Sequence, residues 1–104
     1  FVEEIKREVV SLNNRGVEMV KSGRLEEAVK LFEEAARGMS GNKVVNLNAA
    51  RVLMLYMQSK GITSDHLGQV RDYLDRVRRQ DPENRTLHKM QSKFKQLVRS
   101  AAHH

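Results

Sequence analysis

The stretch from Asn14 to Ala36, NRGVEMVKSGRLEEAVKLFEEAA, constrains the fold of this chain more than any other. It reads as helix, tight turn, helix. Leu12, Met19, Leu25, Leu31 and Phe32 supply apolar bulk around it. Gly16 and Ala28 are small residues at positions where two helices would touch. Ser22-Gly23 punctuates the turn, because glycine adopts a positive φ without steric cost. Bulk at Gly16 or Ala28 would hold the helices apart, so both are expected at the closest approach of the first helix pair.

The rest of the chain continues the helical period. Residues 2–21 place Val2, Ile5, Val9, Leu12, Gly16 and Met19 three and four apart, which is a helical stripe. Val10, Val17 and Val20 form a second apolar line that wants a cover. A second helix is expected over 25–37, with Glu26 and Glu27 in its first turn, where they favour the helix dipole. Gly38, Ser40, Gly41 and Asn42 break the chain, and Asn42 is expected to cap a third helix over 43–60. The apolar run Val52 to Met57 must point all round that helix. A thin stack would leave Met54, Leu55 and Met57 not all buried, with a partner helix or second copy as their cover. A fourth helix follows Ile62-Thr63-Ser64, with Ser64 the expected cap, and carries Leu67, Val70, Leu74 and Val77. After Asp81-Pro82-Glu83-Asn84, a last helix over about 85–99 aligns Leu87, Met90, Phe94, Leu97 and Val98, with Lys and Arg on its outer face. No run alternates at period two, so the fold is expected to be all-α, a short stack of five antiparallel helices.

Seven positions in register resemble a tetratricopeptide repeat: small at Gly16, large apolar at Met19, turn at Gly23, large apolar at Leu25, then Ala28, Phe32 and Ala35. Leu12 stands where that family often has tryptophan. Asn48, Ala49, Ala50 and Leu53 parallel Asn14, Arg15, Gly16 and Met19, while Asn46 falls where Leu12 fell. Asp81-Pro82-Glu83-Asn84 is the turn the family commonly uses between repeats. The resemblance implies a connector helix over 1–12, a first repeat over 13–42, and a second repeat over 43–84, expanded by about eight residues. A closing helix over 85–100 would complete the stack, and 101–104 reads as the remnant of a tag. The start at Phe1 and the long first helix read as a piece of something longer.

Charge and composition narrow the function. The net charge is +6 and there is no Cys, so thiolate metal sites and Cys nucleophiles are excluded. No apolar run approaches the roughly 18 residues that would span a membrane, and a cytoplasmic protein fits. Residues 76–104 hold 8 basic and 2 acidic side chains, so the excess charge lies in the last quarter. His66 and His88 have no ligand partner at metal spacing and read as surface or partly packed residues. Asp72 and Asp75 lie among arginines and read as salt-bridged surface. Gly38 to Gly41 is not a phosphate loop, since no Lys-Ser/Thr follows. No catalytic residue, metal or cofactor is expected.

Two binding surfaces emerge. By register, the inner, concave face of such a stack would hold Val10, Asn13, Val17, Val20 and Lys21, then Val44, Leu47, Arg51, Met54, Leu55 and Gln58. That mixture of apolar residues with a few polar anchors suits a protein or peptide partner, or a second copy of the chain. The long first helix or the last one could instead fold over and fill the groove. A family sub-type reads a C-terminal carboxylate with a Lys, Asn and Arg clamp. Here Asn13, Val17 and Val44 depart and only Asn48 matches, which argues against that mode. The second surface is basic: Arg76, Arg78, Arg79, Arg85, Lys89 and Lys93, with Lys95 and Arg99. It could meet phosphates or an acidic protein, but Phe94 is its lone aromatic and belongs to the core stripe. Nucleic acid is therefore the less favoured partner.

The run from Leu12 to Gln58, followed by LGQVRDYLDRVRRQDPEN, also resembles the C-terminal part of bacterial response regulators that join a phospho-acceptor receiver domain to such repeats. That resemblance implies a non-catalytic output module of two-component signalling, which binds a partner protein or a second copy. The receiver's acidic pocket is absent, so no phosphorylated Asp carries over. Homodimerisation alone is a further alternative.

Overall fold

The structure is a computed structural model that describes residues 2–102. Five helices occupy nearly all of it: α1 (Val2–Lys21), α2 (Leu25–Gly38), α3 (Lys43–Lys60), α4 (Ser64–Gln80) and α5 (Arg85–Ala102). No strand occurs among the described residues. Ala101 and Ala102, set aside from the sequence as part of a tag, continue α5, while Phe1, His103 and His104 lie outside the described residues.

Local chemistry sets the boundaries. Gly23 sits at φ +77° in the α1–α2 turn and Gly61 at φ +115° after α3, conformations that L side chains rarely adopt. Asn42 caps α3, its Oδ1 accepting from the Val45 amide at 3.0 Å. The fourth helix is capped one residue earlier than expected. Thr63, not Ser64, has the extended backbone of a cap, and its Oγ1 accepts from the His66 amide at 3.1 Å. The two hydroxyl residues are adjacent, and sequence does not separate them. Asn84 performs the same service for α5, its Oδ1 accepting from the Leu87 amide at 2.9 Å.

The helices pair as antiparallel hairpins. A Cβ added to Gly16 would lie 2.8 Å from the Phe32 ring, and one added to Gly38 would lie 2.7 Å from a Val9 methyl. As α1 advances from 9 to 16, its partner on α2 recedes from 38 to 32. Gly16 is thus a close-approach residue, and Ala28 is fully buried. Gly38, read from the sequence as a helix break, is also a contact residue. In the second hairpin, Tyr56 meets His66 edge-on at 5.6 Å, Arg76 Nη1 donates to Asn46 Oδ1 at 3.2 Å, and Lys43 pairs with Asp81 at 3.2 Å. Those three pairs run in opposite order along α3 and α4.

Helix α3 is the centre of the stack, packing on α2, α4 and α5, whereas α1 packs on α2. Three neighbours explain its all-round apolar character. The run Val52 to Met57 is covered by the chain's own helices more fully than expected. Val52, Leu53, Met54 and Met57 are buried and Tyr56 is half-buried, so Leu55, at 38 % exposure, alone faces outward. The core also draws on Val9 from α1, Ala28, Phe32, Ala35 and Ala36 from α2, Val45, Leu47, Ala49 and Ala50 from α3, Val70, Tyr73, Leu74 and Val77 from α4, and Leu87, Met90 and Leu97 from α5.

Asn46 is the one buried polar residue among those described, at 0 % exposure. It lies where the repeat pattern favours bulk, yet its needs are met. Its amide donates to the Ser40 and Asn42 carbonyls, each at 2.8 Å, and its oxygen accepts from Arg76. Gln80 adds a bond from its amide to the Gly41 carbonyl at 2.8 Å. The loop between α2 and α3 is thereby held to the C-terminal half of α4. A buried amide with all its partners present is tolerated, and one left without them is costly.

Candidate functional site

The odd-numbered helices share one side of the molecule. Asn48 Nδ2 donates to Asn13 Oδ1 at 3.2 Å, joining α3 to α1 across 35 residues. Beyond this bond, residues 17–21 of α1 and 51–55 of α3 line one groove, so the two helices run in the same direction. Between them opens a groove of about 230 Å³, lined by Val17, Val20 and Lys21 of α1, Phe32 of α2, and Asn48, Arg51, Val52 and Leu55 of α3. Its walls are mostly hydrocarbon. Arg51 reaches the Asn48 oxygen at 3.5 Å through one Nη1 hydrogen, so the other donors of its planar guanidinium stay available.

Of the residues expected on the inner face, Val17, Val20, Lys21, Arg51 and Leu55 line this groove, and Asn13 braces its wall through Asn48. Val10 and Val44 are exposed at 54 % and 62 % and do not line it. Leu47 and Met54 are buried at 7 % and 3 %, because α5 and the neighbouring helices cover that side of α3. Gln58 lies in a second, smaller hollow of about 40 Å³ shared by Arg51, Met54, Leu55, Met90 and Lys93. The two hollows meet at Arg51 and Leu55. Neither α1 nor α5 folds over the groove: α5 flanks it.

The basic residues do not form one patch. Arg76 is spent on Asn46 and on the Tyr73 ring, 5.6 Å from its centroid. Arg78 pairs with Asp75 at 3.2 Å, as the sequence suggested for that carboxylate. Arg79, Arg85 and Lys89 are exposed. Lys93, expected on the outer face of the last helix, instead borders the inner hollow beside Met90. Phe94 packs partly on the core, with the Arg71 guanidinium 5.6 Å from its ring centre. The two surfaces read from the sequence therefore meet at Lys93.

Three residues in the groove were not in the expected inner-face set, Phe32, Asn48 and Val52. Phe32 had been assigned to the helix contact, and its ring does both. Asn48 sits one helical turn before Arg51, a spacing that points both to the same face and was the available signal.

The Asn84 amide, at 3.1 Å, and the Lys43 ammonium hold the Asp81 carboxyl below the usual carboxylate range. Burial pushes the Tyr73 phenol up, and the Glu33 carboxylate adds to it. Among the described residues, no group of three or more His, Asp or Glu is placed to hold a metal ion, and no helix is long and apolar enough to cross a membrane. Comparison with family models, with curated proteins and with solved structures matched none of them.

Proposed function

We propose that this chain is a non-catalytic protein–protein interaction module that receives a partner segment in the groove between α1 and α3. The observation that carries the reading is Leu55, a large apolar side chain left 38 % exposed at the junction of two hollows, with Arg51 and Asn48 beside it. At about 230 Å³, the groove falls short of the roughly 300–1,000 Å³ clefts that enclose small molecules. It suits one or two side chains of a docked segment. Apolar walls supply affinity, and a few fixed polar groups supply register.

The test is a photo-reactive amino acid at position 55, with a second variant carrying it at Glu27, on the far side of α2. Irradiation in extract of the source cells should give protein adducts from position 55 and few from 27. Equal labelling at both positions refutes the reading.

The parallel register of α1 and α3, and the paired small residues at Gly16 and Ala50, support a tetratricopeptide-type repeat. On that resemblance we extend the proposal to a cytoplasmic output module of a response regulator. Sequencing the coding region upstream tests the extension: it should encode a receiver domain, and a different domain there, or none, removes it.

A further inference from the structure

The charges of this molecule are sorted by helix. Helices α3 and α5 contain no Asp or Glu, whereas every acidic side chain of the described residues lies on α1, α2, α4 or the α4–α5 turn. Lys43, Arg51 and Lys60 lie on α3, and Arg85, Lys89, Lys93, Lys95 and Arg99 on α5. Four of the thirteen carboxylates, Glu26, Glu27, Glu33 and Glu34, lie on α2. A basic protein with its charge scattered would not leave two packed helices free of carboxylates.

Two of these cations stand at the hollows. Arg51 borders both, and Lys93 borders the smaller one. On the acidic helices and the turns some cations find carboxylates, as Lys21 does with Glu18, Arg37 with Glu33 and Arg78 with Asp75, whereas among the described residues of α3 and α5 only Lys43, at the start of α3, does so, with Asp81. Among the described residues, Arg51 and Lys93 have no carboxylate within 4 Å. Between and beside them lie Leu55, Val17 and Val20. The surface thus alternates apolar relief with unneutralised positive charge.

We propose that this face receives an acidic segment of a partner protein in which Asp or Glu side chains alternate with large apolar ones. The inference rests on the interaction-module reading and adds the chemistry of the partner. The apolar side chains seat against Leu55, Val17 and Val20. The carboxylates meet the Arg51 fork, which matches carboxylate geometry in two parallel bonds, and the Lys93 ammonium. Complementary charge speeds encounter and rejects basic partners more than it adds affinity. A nucleic acid fits less well, because the centre of the face is hydrocarbon where phosphates would need cations, and among the described residues no exposed aromatic ring offers a stacking surface.

The experiment pans a display library of random twelve-residue peptides, fused at their C-terminal ends so that no free carboxylate terminus is presented. The targets are the described chain, Leu55→Glu, and the charge-reversed Arg51→Glu/Lys93→Glu. All three positions are exposed, and circular dichroism checks that each variant keeps its helices. The parent should enrich Asp and Glu among Leu, Ile and Phe. Peptides so selected should bind Arg51→Glu/Lys93→Glu about tenfold more weakly, and that variant should select Lys and Arg instead. Enrichment that depends on Leu55 but ignores peptide charge overturns this inference and leaves the interaction module standing. No Leu55-dependent enrichment overturns both. Duplex DNA binding as tightly as the selected peptides, or sedimentation showing the face occupied by a second copy, also overturns it.

Discussion

Gly16 offers the sharpest test of the packing, because Gly68 provides its control. Both lie inside helices, where glycine costs about 0.5–1 kcal/mol relative to alanine. At Gly68 an added Cβ meets nothing within 4 Å, so Gly68→Ala should stabilise by roughly that amount. For a domain of this size each kcal/mol moves Tm by about 4–8 °C, giving a rise of about 2–8 °C. At Gly16 the same methyl would stand 2.8, 2.9 and 3.1 Å from three Phe32 ring atoms. Phe32 is 2 % exposed and has little room to swing. Overpacking of this kind costs about 1–3 kcal/mol. Set against the helix gain, the net is a loss of about 0–2.5 kcal/mol, so Tm should stay level or fall. Phe32→Leu removes the ring's far edge. Gly16→Ala made in that background should behave like Gly68→Ala, and the double-mutant cycle should show about 1–2 kcal/mol of coupling. Thermal melts by circular dichroism decide the matter. If Gly16→Ala raises Tm as much as Gly68→Ala and the cycle shows no coupling, α1 and α2 do not meet as described.

Asn46→Ala removes two neutral hydrogen bonds and one to a guanidinium, which together should cost roughly 3 kcal/mol; a urea midpoint unchanged from the parent would contradict the buried network. Thr63→Ala should lower stability by about 1 kcal/mol and Ser64→Ala by much less, the reverse order being evidence that Ser64 is the cap after all. Asp81 has a folded pKa below its unfolded one, so its contribution is present above the ordinary carboxylate pKa and is lost as pH falls through the lower, folded value. The stability gap between the parent and Asp81→Asn, measured by urea titration, should therefore be steady near pH 7 and shrink below about pH 4; a gap that widens on acidification would have the wrong sign.

How much of this was legible beforehand depends on the length scale of the interaction. Helix spans follow from the 3.6-residue period and from Gly23 and Asn42, all local signals, and the structure agrees with them. The close approach at Gly16 was readable because its partner lies in the next helix. Asn46 was not. Its amide is satisfied by two carbonyls in the preceding loop and an arginine thirty residues later, and no spacing rule anticipates such a triple. Leu47 and Met54 failed as surface residues for a related reason. Their register places them towards the groove, but burial depends on where α5 settles, and that is a tertiary fact. Helix α5 likewise set the exposed Lys93 at the rim of the smaller hollow.

The charge map shows the same regrouping at the level of function. Along the chain, the positive excess falls in the last quarter and suggests one basic patch opposed to an apolar groove. In three dimensions that quarter divides. Arg76 and Arg78 of α4 are bound to Asn46 and Asp75 and have little left for a ligand. Lys93 of α5 borders one hollow together with Arg51 and Leu55 of α3. The unit that matters is therefore the face shared by alternate helices, which collects residues about 35 apart in sequence, as the Asn13–Asn48 bond does. Like charges on that face repel one another, but exposed to solvent their repulsion is screened within about 8–10 Å at ordinary salt. The fold can therefore carry them at small cost. The same screening makes a prediction for binding: raising salt should weaken an acidic apolar peptide moderately and leave its seating on Leu55 in place. A phosphate-neutralising surface would instead lose affinity steeply and along its whole length. The slope of affinity against salt therefore separates a groove with two cationic anchors from a general anion surface.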